Sequence, residues 1–295
     1  MTLHARKIGD ATVTQVVEYS APTHQREFLF PDLSQEELNA NADWLGPHHY
    51  VPHMNRLIIT IQLWVIHAGG NVIVVDTGVG NFKRRKAARM NMLNSLVVPW
   101  LEAAGAAPAD VTHVVQTHVH SDHVGWNTTL VDGQWAPTFP NARYCIPKKD
   151  FDYFDDQVKR GGGHPLIEES FADSVYPVIE AGLVDFITDD MREVAGVLSV
   201  EPAPGHCPGM VTYRLRSSGQ EGLFTGDVMH SPVQIVKPSL NTSYCLEPDL
   251  ARKTRLEVLN RAADRDALIM PMHFGAPYCG YVRRQGDGFR FEPAA

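Results

Sequence analysis

The stretch QTHVHSDHVGWN, residues 116–127, places His118, His120, Asp122 and His123 within six residues of one another. The run before it, VTHVVQ at residues 111–116, is apolar and β-branched, which predicts a buried strand. The histidines therefore fall where a strand ends and the chain turns, held by a rigid element and open on one side. His118 and His120 are two apart and share a face if that backbone stays extended, so they can share one cation. Asp122 and His123 come after the turn and can face a second. Neutral imidazole and carboxylate suit zinc and similar divalent metals. The bland alternative is a histidine-rich surface loop, and an HxHxDH pattern directly after an apolar strand argues against it.

THVHSDH resembles the signature of the metallo-β-lactamase superfamily. That resemblance implies an α/β protein, an αββα sandwich with metals at one edge of its two sheets. It also implies an Asp near the end of an earlier strand, a later His in a Gly-His turn, a bridging Asp after another strand, and a final His near the C-terminus. The sequence supplies them in that order: Asp76 in VVDTG, His206 in APGHCPG, Asp227 in LFTGD and His273 in IMPMHFG. By this resemblance His118, His120 and His206 hold the first of two divalent ions, with Zn2+ the first expectation. Asp122, His123 and His273 hold the second, and Asp227 bridges them. Asp76 is implied to support a ligating imidazole rather than to ligate. A hydroxide shared by the two ions is then the nucleophile, and Asp122 also takes up and returns the proton. His230, three residues after Asp227, stands where lactonase-like members present a polar side chain, and is read as a substrate contact.

The chain has 295 residues, 44% of them apolar, enough for one large domain spanning residues 1–295. Its net charge of −8 argues against nucleic acid as a partner. No apolar run approaches the roughly twenty residues of a membrane span. The N-terminus lacks the apolar core of a signal peptide, and Cys145, Cys207, Cys245 and Cys279 form no CxxC pair. Both points predict a cytoplasmic protein with reduced thiols. Cys207 beside His206 is read as a small turn residue, because Asp227 already fills the bridging position.

Along the chain, residues 11–19 alternate as a half-buried strand. Residues 20–55 carry Pro22, Pro31, Pro47 and Pro52 and a capping box from Ser34 to Glu37; they read as a cover over part of the site mouth. His48, His49 and His53 in that cover are read as polar lining or surface. Residues 56–67 and 71–76 predict a glycine-turned hairpin. Residues 82–92 hold Lys83, Arg84, Arg85, Lys86 and Arg89, which predicts a helix with solvated charges; an anionic substrate is the lesser reading. Further helices are expected over residues 95–104, 148–158 and 247–263. Residues 160–180, with RGGG at 160–163, the isolated His164, Phe171 and Tyr176, are expected to form a lid. Trp126, Phe171, Tyr278 and Tyr281 are read as aromatic pocket walls, suited to an uncharged organic molecule.

The leading functional reading is a dinuclear metal-dependent hydrolase of a lactone or carboxylic ester. Its partner is a small-molecule substrate, and the resemblance suggests a homodimer through the N-terminal segment. Two other hydrolases stay open: one for organophosphate triesters, and a thioester hydrolase of glyoxalase II type. For the latter, Arg283 and Arg284 are the only basic cluster near the C-terminus. A non-catalytic metal-binding scaffold would keep the fold but typically lose a ligand, and none is missing.

Overall fold

A computed structural model describes residues 3–161, 167 and 170–294. The first sheet takes β1 (His4–Ile8), β2 (Ala11–His24), β3 (Tyr50–Val51), β4 (Arg56–Ala68), β5 (Asn71–Val75) and β6 (His113–Val115). After a small hairpin, β7 (Thr128–Val131) and β8 (Gln134–Pro137), it is completed by β9 (Arg143–Pro147) and β10 (Val184–Ile187). Its order is β1-β2-β4-β5-β6-β9-β10, with β3 also paired to β4. The second sheet runs in sequence order through β11 (Glu193–Val194), β12 (Leu198–Pro202), β13 (Val211–Ser217), β14 (Gln220–Gly226), β15 (Leu268–Pro271), β16 (Gly280–Gln285) and β17 (Gly288–Pro293).

Side-chain parity sets the layers. On β5, Ile73 and Val75 face the second sheet with Trp64, Ile66 and Val115, and meet Tyr213, Leu215, Phe224 and Met270. Val74, between them, faces the other way with Leu63, Val65 and Val114, against Val97 and Leu101 of helix α1 (Val97–Ala103). On the far side, Leu223, Ile269 and Val282 of the second sheet are covered by Val258, Leu259 and Ala262 of α2 (Pro248–Asp264). Every apolar face is thus buried against another element, giving the expected helix-sheet-sheet-helix order. Leu256 lies off the buried face of α2 and is exposed.

The N-terminal cover forms as the capping box predicts. Ser34 caps a short helix at Gln35–Ala40, accepting from the Glu37 amide while Glu37 accepts from the Ser34 amide. Leu29, Phe30, Leu33, Leu38 and Leu45 pack this segment against Val233 and Leu240.

The basic run differs from expectation. Only Ala88–Met90 form a single 3-10 turn, and the segment is otherwise a loop. Lys83 and Arg85 are not solvated but buried. Arg85 makes a two-pronged pair with Asp173, at 2.7 and 3.0 Å. The Lys83 ammonium donates to Thr128 Oγ1 and the Asp173 carbonyl and sits 3.7 Å over the Trp135 ring. A local charge count could not find this, because Asp173 lies some ninety residues away. Asp173 belongs to Phe171–Val175, inside the expected lid. There Phe171 is buried and stacks on Phe151, so it belongs to the core rather than to a pocket wall. His164 and the glycines at 162 and 163 lie outside the described residues.

Replacing Asp173 with Ala leaves two buried cations without their carboxylate. We expect a loss of about 3–5 kcal/mol, read by denaturant unfolding; a loss below 1 kcal/mol would mean the pairing is idle. Burial also pulls the Lys83 pKa down to about 7, against the upward pull of Asp173. Between pH 7 and the ordinary lysine value the unfolded chain then holds more protons than the folded one, so stability from this group rises with pH. The melting temperature of the wild type should gain on that of Lys83→Met between pH 7 and pH 9. A constant difference would refute the buried, depressed ammonium.

Candidate metal centre

The donors gather at the C-terminal ends of strands, on the edge where both sheets open. Asp76 follows β5, His118 follows β6, His206 follows β12, Asp227 follows β14 and His273 follows β15. β5 and β6 are parallel, as are β14 and β15, so their ends lie side by side. Gly226 adopts φ +50°, and a Cβ there would sit 2.8 Å from the Thr117 side chain. Only glycine lets that strand end swing Asp227 over the His118 loop.

Two groups of donors result. In the first, His118 Nε2 lies 2.9 Å and His206 Nε2 3.0 Å from His120 Nδ1, and Asp227 Oδ2 lies 3.2 Å from His206 Nε2. In the second, Asp122 Oδ1 is 3.8 Å from His123 Nε2 and Asp122 Oδ2 is 3.9 Å from His273 Nε2. Asp227 Oδ1 completes this group, 3.3 Å from His123 Nε2 and 3.0 Å from His273 Nε2. All seven residues named from sequence therefore converge, and Asp227 stands between the two groups: Oδ1 faces only the second, while Oδ2 faces the first and also lies 3.2 Å from His273 Nε2. His230 joins them: its Nε2 is 3.2 Å from Asp227 Oδ2, and its ring stacks on His273 at 4.9 Å. Asp227, His230 and His273 form a third combination close enough to share an ion.

Three of the imidazoles, His118, His123 and His273, are aimed by their other nitrogen. Asp76, at φ +52°, accepts from the Thr117 amide at 2.7 Å, the Thr117 hydroxyl at 2.8 Å and His123 Nδ1 at 2.8 Å. Because the Thr117 hydroxyl spends its proton on Asp76, it accepts from His118 Nδ1, 3.0 Å away. His273 Nδ1 donates to the Thr60 carbonyl at 2.8 Å, and Thr60 N donates back to the His273 carbonyl. The Nε2 lone pairs of His118, His123 and His273 are thereby left facing the centre.

Sequence reasoning missed two supports. Asp150 is buried and accepts from Val119 N and Gly209 N, at 2.9 and 3.2 Å, tying the His118–His120 turn to the His206 turn. Cys207 hydrogen-bonds this Asp150, and burial holds its thiol pKa well above the ordinary value, as befits a turn residue. Glu18 stands at an irregularity in the β2–β4 register and accepts from Val79 N, Gly80 N and Trp126 Nε1. No local motif marks Glu18 or Asp150.

These residues fit divalent ions. His123 Nε2 and Asp227 Oδ1 are buried and face each other at 3.3 Å without the geometry of a hydrogen bond. Burial opposes charge on these rings: it wins at His118 and His230, which are lowered, whereas Asp227 outweighs it at His206 and pushes it up to about 9. His123 is likewise raised, by Asp227 and Asp76 against burial. A buried cluster that draws in protons in this way is one where a metal cation competes with them.

The centre opens into a pocket of about 200 Å³. Its walls are Phe28, Leu29, Ile59, Met90 and Tyr244, with His24 and Arg89. The expected aromatic walls are not among them. Trp126 is buried against Glu18, Tyr278 packs on the core between the sheets, and Tyr281 stacks on Arg283. Gly280–Gln285 and Gly288–Pro293, which follow His273, form a β-hairpin of the second sheet. His49 is buried and accepts from Gly275 N through Nδ1, away from the donor groups.

The chain matches the metallo-beta-lactamase superfamily over residues 61–273 and belongs to it. It is similar to the N-acyl homoserine lactonase AttM of Azorhizobium caulinodans, 31% identical over 122 residues. That match covers 40% of this chain and 41% of the relative, well under half of the relative's length. The probable metallo-hydrolase YybB of Bacillus subtilis is 23% identical over 63% of this chain and 72% of that relative. Among solved structures, the hydrolase AbOPH of the beta lactamase superfamily superposes with TM-score 0.81 at 20% identity, covering 99% of this chain and 97% of that one. AidC, a dizinc quorum-quenching lactonase solved with the product N-hexanoyl-L-homoserine, gives 0.78 at 20% identity, with the same coverage. These likenesses establish the fold. No helix among the described residues is long and apolar enough to cross a membrane.

Asp76→Ala removes the acceptor that aims His123 and, through Thr117, His118. We expect about 10- to 100-fold weaker metal binding, measured by competition with a chromogenic chelator; unchanged affinity would show that Asp76 aims nothing.

Proposed function

We propose that this protein is a dinuclear metal-dependent hydrolase of a lactone or carboxylic ester. The observation that carries the reading is Asp227, which stands between the two groups of imidazoles, 3.2 Å from His206 and 3.0 Å from His273, at the floor of a largely apolar pocket. His118, His120 and His206 would hold one ion, and Asp122, His123 and His273 the other. Asp227 would be shared. When bound, such ions acidify a water towards neutrality and polarise a carbonyl oxygen.

The chain's own groups do the rest. Asp122 is the most exposed of the donors, with its side chain 23% accessible, and it lines the pocket. Its carboxylate is placed to take a proton from the attacking water and return it to the leaving oxygen. His230 lines the pocket beside Asp227 and His273, so its ring is the one set to meet a substrate. The apolar walls exclude water and favour an organic acyl or alkoxy group. Zn2+ is the first expectation from the nitrogen-rich donor set, and the lactonase relatives favour a lactone over other esters.

The test is a panel offered to the metal-replete protein: a long-chain homoserine lactone, an aryl ester, a phosphotriester and an acyl-glutathione thioester, with Asp227→Ala as control. The lactone or the ester should turn over at least about a hundredfold faster than in the control. A dominant phosphotriester or thioester rate would replace the substrate class. Two bound metals with no turnover at all would remove it.

A further inference from the structure

Arg89 is the one lysine or arginine among the described residues that line the pocket. It stands out from its own neighbours. Lys83 and Arg85, on the same loop, turn inward and are matched by Asp173. Arg89 turns towards the donors and makes no ion pair among the described residues; its one polar partner there is the Tyr244 side chain. A tyrosine hydroxyl is neutral and occupies one of the five donors of a guanidinium. The charge is left unmatched.

The other charged groups that line the pocket are accounted for. Asp227 is surrounded by imidazoles at 3.0–3.3 Å, and Asp122 faces His123 and His273. His24 hydrogen-bonds Tyr244 at 3.0 Å, and burial first, then Arg89, lowers it to about 3, so it adds no second charge. The remaining wall is apolar: Phe28, Leu29, Ile59 and Met90. A cation at such a wall pairs strongly with an anion, because little water competes.

The position is also built. Phe82 N donates to the Leu93 carbonyl, Met92 N to the Lys83 carbonyl and Arg85 N to Asn91 Oδ1, closing the loop on itself. Lys83 and Arg85 then anchor it from below through Asp173. The guanidinium is presented by a pinned turn, next to the buried Met90.

We propose that Arg89 is a specificity residue: it pairs with a carboxylate that the substrate carries at the end remote from the bond hydrolysed. The inference rests on the hydrolase reading above and narrows it to ester or lactone substrates bearing an anionic tail. Arg89 binds and orients that tail, while the hydrolysed carbonyl lies over Asp227.

Two esters that differ in one group test it with the metal-replete protein. They are para-nitrophenyl hexanoate and the mono-para-nitrophenyl ester of adipic acid, in which a carboxylate replaces the terminal methyl. In the wild type, kcat/KM should be about tenfold or more higher for the carboxylate ester, carried by KM. Arg89→Gln should bring the ratio to about one, Arg89→Lys should keep part of it, and the exposed Arg84→Gln should keep it whole. A wild-type ratio of one or less, or a ratio that survives Arg89→Gln, overturns the proposal. If neither ester turns over, the ester half of the hydrolase reading fails by itself, and Arg89 is then judged by calorimetric titration of the two corresponding anilides. Tighter binding of the carboxylate anilide that vanishes in Arg89→Gln upholds the pairing; equal binding of the two anilides overturns it.

Discussion

The structure depends on one buried carboxylate doing three jobs. Asp76 accepts from the Thr117 amide, the Thr117 hydroxyl and His123 Nδ1. The first bond fixes the end of β6 beside the end of β5. The second sets the hydroxyl that receives His118, and the third sets His123. A carboxylate with three donors is fully solvated by protein, so it tolerates complete burial. It also tolerates a left-handed backbone, because the surrounding bonds over-determine it. The Nε2 atoms it points inward gather beside Asp227 and the other imidazoles, a concentration of buried acceptors that suits a cation.

The two sheets meet at this edge through equally specific links. Thr60 on the first sheet and His273 on the second exchange backbone and ring hydrogen bonds, and Gln62 donates to the Pro271 carbonyl. Asp150 does the same between the two histidine turns. A one-residue slip in either sheet would turn these partners away as surely as it would expose the core. The parity that buries Ile73 and Val75 therefore also fixes the positions of the donors.

Much of this was legible in sequence, for a physical reason. Ligand motifs are local: HxHxDH, GHCPG, TGD and MHFG each put a donor at a strand end, where short-range pattern and function coincide. The hairpin of β4 and β5, the capping box at Ser34 and the helix over residues 247–263 are local too. What could not be read were pairings across long separations. Lys83 and Arg85 looked like surface charge because Asp173 lies far along the chain. Trp126 and Phe171 looked like pocket walls because an aromatic ring gives no sign of which face it will turn to. The true walls, Phe28, Ile59, Met90 and Tyr244, come from four separate segments and form no motif.

The placing of those walls has an evolutionary side. His24, Phe28, Leu29 and Ile59 all precede residue 61, where the match to the superfamily begins, whereas every donor lies within it. The part of the molecule that performs chemistry and much of the part that selects what enters are thus distinct stretches of gene. Substitution at those wall positions can reshape the entrance and leave every donor in place, provided Thr60, which receives His273, and Glu18 are kept.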